Sequence, residues 1–222
     1  MTHVTVDTWS IAAVGALAYL VGGVPIGWLL ARSRAGIDVR GLGSGNVGTS
    51  NIYRNVDAGM AVVVGPAQFF QGLLCVEGAG WLGFPIEIQS LVAVCAVVGN
   101  GWPVYLGFNG GRGIAVATGA VAGLSLIGLG VLLACFAAGA LCRQIALGVM
   151  AGFIALPIVA ALIVGQARAI AFAVLLVLIT LRRLEGLITD SRRYGQPLRL
   201  ALLRLARDER PGRPLVGRRT DW

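Results

Sequence analysis

At 222 residues, 57% hydrophobic and 13% charged, the chain is too apolar for a soluble domain, where roughly 25% of residues carry charge. Its mean hydropathy of +0.82 points to a polytopic α-helical membrane protein, because spanning backbone must satisfy its own hydrogen bonds; the absence of period-two alternation excludes a β-barrel. The net charge of +8 comes from 18 arginines and no lysine, and more than half of them lie at or after Arg182, where they face anionic lipid headgroups rather than nucleic acid, or form a solvated tail.

In chain order, apolar segments occupy residues 9–32, 58–83, 86–107, 113–124, 125–142, 146–165 and 168–183. Each is read as a helix, which gives an all-α membrane protein of about seven transmembrane helices. The fourth is short for a span. It is either a half-helix or the first part of one long helix with the fifth. Residues 1–189 form one integral membrane domain on this reading, and residues 190–222 form an Arg-rich tail. Residues 1–8 lack the basic n-region of a cleavable signal peptide. Cys75, Cys95, Cys135 and Cys142 all fall within apolar segments, with neither metal-ligand spacing nor a CxxC pair. They read as small core residues, and no metal or cofactor is expected.

Orientation follows from the arginines. The residues before Trp9 have none, whereas the first loop carries Arg32, Arg34, Arg40 and Arg54. The loop near 84–87 has none, the next has Arg112, and the end of the chain has most of the rest. This alternation predicts a multi-pass cell-membrane protein with its N-terminus outside and its C-terminus in the cytoplasm. Five helices with two re-entrant stretches would give the same ends. Either way the polar runs at 36–54 and 107–119 and the arginines after Leu181 come out on the cytoplasmic side, and three separated segments converging on one face can build a site between helices.

The first of these runs contains "GLGSGNVGTSNIYR" (41–54). Glycines there allow backbone amides to turn towards one point and form an anion-binding nest. A helix starting near Ser50 or Asn51 would add its N-terminal partial charge. Ser44, Thr49 and Ser50 offer hydroxyls, Asn46 and Asn51 offer amides, and Arg40 and Arg54 offer guanidinium forks for phosphate. A Gly-rich loop with a Ser/Asn helix cap is the alternative. The second run contains "GGRG" (110–113), a phosphate loop with Arg112 in the cationic role, or a plain membrane-edge turn. It is not a Walker A motif.

The only histidine is His3, predicted on the outer side. An acyltransferase that relies on a His–Asp pair to deprotonate a hydroxyl is therefore excluded. A cysteine nucleophile would have no His partner. Cytoplasmic acidic candidates are few: Asp38, Asp57, Glu185 and Asp190. Chemistry here must rest on positioning and electrostatics, or on a substrate's own phosphate as base.

"AYLVGGVPIGWLLAR" followed by "GIDVRGLGSGNVGTSNIYR", together with "VVGNGWPVYLGFNGGRGIAVATG" (97–119), resembles two signatures of a known family. These are the bacterial membrane glycerol-3-phosphate acyltransferases that use acyl phosphate as donor, the PlsY family. The resemblance runs from about residue 17 to 183. It implies a seven-helix inner-membrane enzyme of phospholipid biosynthesis with a cytoplasmic active site. Such enzymes move a fatty acyl group from acyl phosphate to the 1-hydroxyl of glycerol 3-phosphate, giving lysophosphatidic acid and phosphate, without acyl-CoA or a metal. Carried over, the resemblance assigns Ser44, Arg112 and Asn100 to catalysis. The resemblance and the loop chemistry together assign Asp38, Arg40, Gly43, Gly45, Asn46, Gly48, Ser50, Asn51, Arg54, Gly110, Gly111, Gly113, Thr118, Arg182 and Arg183 to substrate binding.

Several positions depart from the family pattern. Gly23 stands where the family has serine, Gln68 and Gln71 where it has an aspartate and a lysine, Asn100 where it has histidine and Arg112 where it has lysine. The third family signature is reduced to "LRRLEGL" (181–187), with Arg182 and Arg183 in place of a His-Arg pair. A divergent acyltransferase and a homologue that binds a phosphate-bearing lipid or acceptor without this catalysis both fit. A transporter with polar loops lining a pathway is the third class, but "ALGVMAGFIALPIVAALIVG" (146–165) places no polar group at membrane depth.

Overall fold

The computed structural model describes residues 7–194 and 196–206, and among them every regular element is helical. His3 and the end of the Arg-rich tail lie outside the described residues. A helix stands at each of the seven apolar segments. The first segment is broken in two. Helix α1 (Thr8–Gly23) stops where Pro25 removes an amide, and α2 (Ile26–Ala35) continues to Gly36, whose φ of 68° ends it. Asp7 caps α1 by accepting from the Ser10 amide at 2.8 Å.

Next come the short helix α3 (Thr49–Asn55) and α4 (Ala58–Trp81), which is capped by Asp57 accepting from the Met60 amide at 2.8 Å. Helix α5 (Ile86–Gly101) leads into the second polar run. Beyond it, α6 (Ile114–Leu124) and α7 (Leu126–Leu141) are separate helices. Ser125 is extended between them and caps α7, so the fourth apolar segment does not fuse with the fifth. Helix α8 (Ile145–Val159) ends in a wider π-type turn (Ala160–Val164) after Pro157, and α9 (Gln166–Leu184) follows. Two more helices follow, α10 (Leu187–Tyr194) and α11 (Pro197–Ala206); α11 folds back onto α8 and α9, and α10 packs on α11.

The stretches Thr8–Ala35, Ala58–Trp81, Ile86–Leu106 and Ile145–Val164 are long and apolar enough to cross a membrane. Large apolar side chains such as Trp9, Leu126, Leu141 and Leu162 stand exposed on the outside of the bundle. In water such a surface would aggregate. In lipid it is the solvent-facing side.

Small residues set the closest helix pairs. A Cβ on Gly72 would overlap the Val116 carbonyl oxygen, and one on Gly119 the Phe69 carbonyl oxygen, so α4 and α6 meet backbone to backbone. Gly22 and Gly99 bring α1 and α5 together in the same way. The main core runs through α4 to α9 and includes Val92, Ala96, Val121, Phe153 and Phe172. A smaller cluster of Ala31, Val39, Val47, Ile52, Val64 and Leu106 packs beneath the first polar run and holds it against α2, α3 and α4.

Candidate phosphate-binding cleft

Three segments meet at one end of the bundle: the α2–α3 loop, the α5–α6 loop and the last turn of α9. Between them lies a narrow cleft lined by Ser44, Gly45, Asn46, Asn109, Gly110, Gly111, Arg112 and Arg182.

Asn51 organises the first loop. Its side-chain amide reaches the Val39 and Leu42 carbonyls at 3.1 Å and the Asn46 carbonyl at 2.8 Å, while its Oδ1 accepts from the Ser44 amide at 3.1 Å. Asn55 Nδ2 donates to the same Oδ1 at 2.9 Å. Gly43 has φ 48° and fits tightly over these two amides, where a Cβ would collide with both. The Gly48 amide donates to Asn46 Oδ1 at 3.0 Å, and the Gly45 amide to the Leu42 carbonyl at 2.8 Å. The amides of Ser44, Gly45 and Gly48 are thus committed inside the loop. These three amides are therefore not available to the anion nest expected from this glycine run. What the loop presents to the cleft is the Ser44 and Asn46 side chains and Gly45.

The second loop is equally tight. Gly107 and Phe108 adopt φ 58° and 63° in succession, and the Phe108 amide returns to the Pro103 carbonyl at 2.9 Å. A non-glycine residue in this region carries strain. The Gly110 and Gly111 amides donate to the Gly101 and Asn100 carbonyls at 3.2 and 2.8 Å. Asn100 sits behind the glycines: its Nδ2 donates to the Gly22 carbonyl at 3.4 Å, and a Cβ on Gly111 would stand 2.7 Å from its Oδ1. Gly113, at φ 75°, turns the chain into α6.

Arg182 closes the third side. It is buried, with Nε donating to the Gly111 carbonyl at 3.0 Å and Nη2 to the Gly110 carbonyl at 2.9 Å. Its guanidinium lies 5.5 Å from the centre of the Trp102 ring and pairs with Glu185. Arg112, also buried, lines the cleft too.

Other residues assigned from sequence lie elsewhere. Arg40 is locked to Asp38, donating from Nε at 3.0 Å and from Nη2 at 2.7 Å. These bonds hold the Asp38 carboxyl down at about 2, against the opposing push of partial burial. Ser50 and Arg54 are exposed on α3. The Thr118 hydroxyl donates to the Ile114 carbonyl at 2.8 Å within its own helix. Arg183 turns away from the cleft and donates to the Leu205 carbonyl at 2.7 Å. The sequence reading missed Asn109, although its place directly before the glycine pair was a usable signal.

Arg112, two amide side chains and a hydroxyl around glycine backbone make a set of donors for one tetrahedral anion, and Arg182 adds positive charge although its own donors are engaged by Gly110, Gly111, Asn109 and Glu185. Among the described residues no carboxylate, imidazole or thiol lines the cleft itself, and the Glu185 carboxylate beside it is paired with Arg182. Among the described residues no group of three or more His, Cys, Asp or Glu could hold a metal ion.

The family model for "Glycerol-3-phosphate acyltransferase" matches residues 12–189. The chain belongs to the glycerol-3-phosphate acyltransferase family. Among curated members, "Glycerol-3-phosphate acyltransferase 4" of Dehalococcoides mccartyi is 37% identical over 140 residues, covering 63% of this chain and 60% of that one. "Glycerol-3-phosphate acyltransferase" of Geobacter sulfurreducens is 37% identical over 167 residues, covering 72% of this chain and 86% of that one. The chain thus spans less than two thirds of the length of the first of these relatives. The crystal structure of PlsY (YgiH), described as an integral membrane glycerol 3-phosphate acyltransferase in its glycerol 3-phosphate form, superposes with a TM-score of 0.74 at 26% identity. The superposition covers 84% of this chain and 94% of that one. Its lysophosphatidic acid form superposes with a TM-score of 0.70 at 25% identity. Membership of the acyltransferase family and an integral membrane fold therefore hold together.

Proposed function

We propose that the protein is a membrane acyltransferase that moves a fatty acyl group from acyl phosphate to the 1-hydroxyl of glycerol 3-phosphate. The products are lysophosphatidic acid and phosphate. The convergence of Arg112 and Arg182 with Ser44, Asn46 and Asn109 in one cleft carries this reading. Family membership and the names of the relatives support it.

In the reaction, the glycerol oxygen attacks the acyl carbonyl carbon and a new ester C–O bond forms. The bond from that carbon to the phosphate oxygen breaks. The hydroxyl proton passes to the departing phosphate, whose own oxygens serve as the base while the Glu185 carboxylate stays paired with Arg182. Arg112 and Arg182 hold phosphate charge, and Ser44 donates to an oxygen that gains charge in the transition state. Asn46 and Asn109 orient the bound group. Asn100 and Asn51 act through the loops that they brace. Arg40 and Asp38 brace the entrance to the first loop, and Arg54 stands outside the chemistry.

The membrane reading is seven spans, with α1 and α2 forming the first. The N-terminus lies outside and the C-terminus and cleft face the cytoplasm, because the arginine-bearing ends then share one side. Residues 1–189 form the membrane domain and 190–222 an appended tail. Acceptor-dependent release of phosphate from palmitoyl phosphate, with lysophosphatidic acid identified in the lipid extract, tests the activity.

A further inference from the structure

Helix α11 is fixed to the bundle by one of its faces. Leu200 and Arg204, one turn apart, are buried there. Arg204 donates to the Leu184 carbonyl at 3.3 Å and to the Glu185 carbonyl, and pairs with Asp190. It thereby satisfies carbonyls that the end of α9 leaves open. From the other side, Arg183 donates to the Leu205 carbonyl at 2.7 Å and the Ala146 carbonyl at 3.4 Å. Its neighbour Arg182 faces the cleft, so α11 and the cleft share the last turn of α9.

The opposite face of α11 touches nothing comparable. Leu198 and Leu202, again one turn apart, are 74% and 58% exposed. Arg199 beside them is exposed, as is Arg192 on α10. Among the described residues the two acidic groups of this region, Glu185 and Asp190, are paired with Arg182 and Arg204. An apolar stripe flanked by arginine, with the carboxylates engaged elsewhere, is the pattern of a helix lying in a membrane interface. The surroundings agree. Ile145 and Leu147 in the first turn of α8, and Leu181 near the end of α9, are exposed apolar side chains at this same end of the bundle.

We propose that α11 is a docking surface for anionic phospholipids of the leaflet at the cleft's end. Leu198 and Leu202 enter the acyl region, while Arg199 and Arg192 bind phosphodiester headgroups. The charge is matched by a lipid phosphate rather than by an acidic protein surface, because the exposed apolar side chains of Leu198, Leu202, Ile145, Leu147 and Leu181 at this end of the bundle call for a lipid environment. This proposal stands whether or not the cleft transfers acyl groups.

The test is hydrogen exchange of the full chain reconstituted in bilayers of phosphatidylcholine alone and of phosphatidylcholine with phosphatidylglycerol. Exchange in α11 is expected to slow by roughly fivefold or more when phosphatidylglycerol is present, from about 1 kcal/mol per engaged arginine. That gain is expected to vanish in Arg192→Gln/Arg199→Gln and to shrink in Leu198→Ser/Leu202→Ser, with α8 and α9 unchanged as the control for folding. Equal exchange in the two bilayers would overturn the proposal. So would a phosphatidylglycerol effect that survives in all the variants, or protection that follows protein density in the bilayer, which would assign the face to a second copy of the chain.

Discussion

Arg182 Nε donates to the Gly111 carbonyl at 3.0 Å, joining the last turn of α9 to a glycine loop 71 positions away. With the second bond to Gly110, the guanidinium uses two prongs on adjacent carbonyls. A lysine keeps the charge but cannot span both. Arg182→Lys is expected to lower kcat/KM tenfold or more, with the protein still folded. Charge-assisted bonds of this kind contribute about 1.5–3 kcal/mol each. Steady-state rates with palmitoyl phosphate and glycerol 3-phosphate check this. Wild-type kinetics in Arg182→Lys would show that only the charge is needed.

Arg112 and Arg54 were equivalent on sequence, and the fold separates them. Arg112 is buried in the cleft lining and Arg54 is exposed on α3. Arg112→Ala is expected to cost ~2–4 kcal/mol of transition-state stabilisation, by comparison with lost oxyanion donors. Arg54→Ala is expected to stay within a few-fold of wild type. Equal losses in the two variants would place Arg54 on substrate and contradict the cleft as drawn. Ser44→Ala should likewise fall well below Ser33→Ala, whose hydroxyl only returns to the Leu30 carbonyl.

Much of this was legible in the sequence, and the limits have physical causes. Apolar runs locate helices well because a spanning backbone must be helical. Pro25 divided the first of those runs and Ser125 kept the fourth and fifth apart, since a missing amide and an extended residue act locally while hydropathy is an average over many positions. The polar loops were visible as the site. Which arginines faced inward was not, because that depends on partners distant in sequence, such as Gly110 and Gly111 for Arg182. The same holds for Arg183, whose partner is the α11 backbone. The sequence pattern points to Asn51 as a substrate donor, whereas its amide is spent on three carbonyls of its own loop.

That role makes Asn51 a test of how the first loop is built. Asn51→Leu is nearly isosteric but removes every one of these bonds and leaves buried carbonyls without partners. An unsatisfied buried group costs about 1–3 kcal/mol. The variant should lose several degrees of unfolding temperature in detergent and most of its activity. Unchanged thermal stability would mean that the loop is held by its apolar cluster alone.

The Asp38–Arg40 pair carries a pH signature. The carboxyl titrates at its ordinary 3.8 in the unfolded chain and at about 2 in the fold. Its folded pKa is depressed, so its contribution to stability is complete above 3.8 and is lost as pH falls through about 2. Across neutral pH the pair adds no slope. Unfolding temperatures measured from neutral to acid pH should fall less steeply below pH 3.8 in Asp38→Asn than in wild type. Parallel profiles would remove Asp38 from the acid response.

Close helix contact gives a prediction independent of the cleft. Gly72→Ala would press a methyl into the Val116 carbonyl between α4 and α6, whereas Gly130 on α7 has nothing within 4 Å of its Cβ position. Forcing backbones apart costs about 1–3 kcal/mol. Gly72→Ala should therefore lower the unfolding temperature, and Gly130→Ala should hold or raise it. The reverse order would refute the α4–α6 contact.

Purified full-length protein in lipid, given palmitoyl phosphate with and without glycerol 3-phosphate, provides the most direct measurement. Phosphate release that depends on glycerol 3-phosphate, with lysophosphatidic acid formed in equal amount, is the predicted result. A folded preparation that releases no phosphate when the acceptor is added would contradict acyl transfer at this cleft.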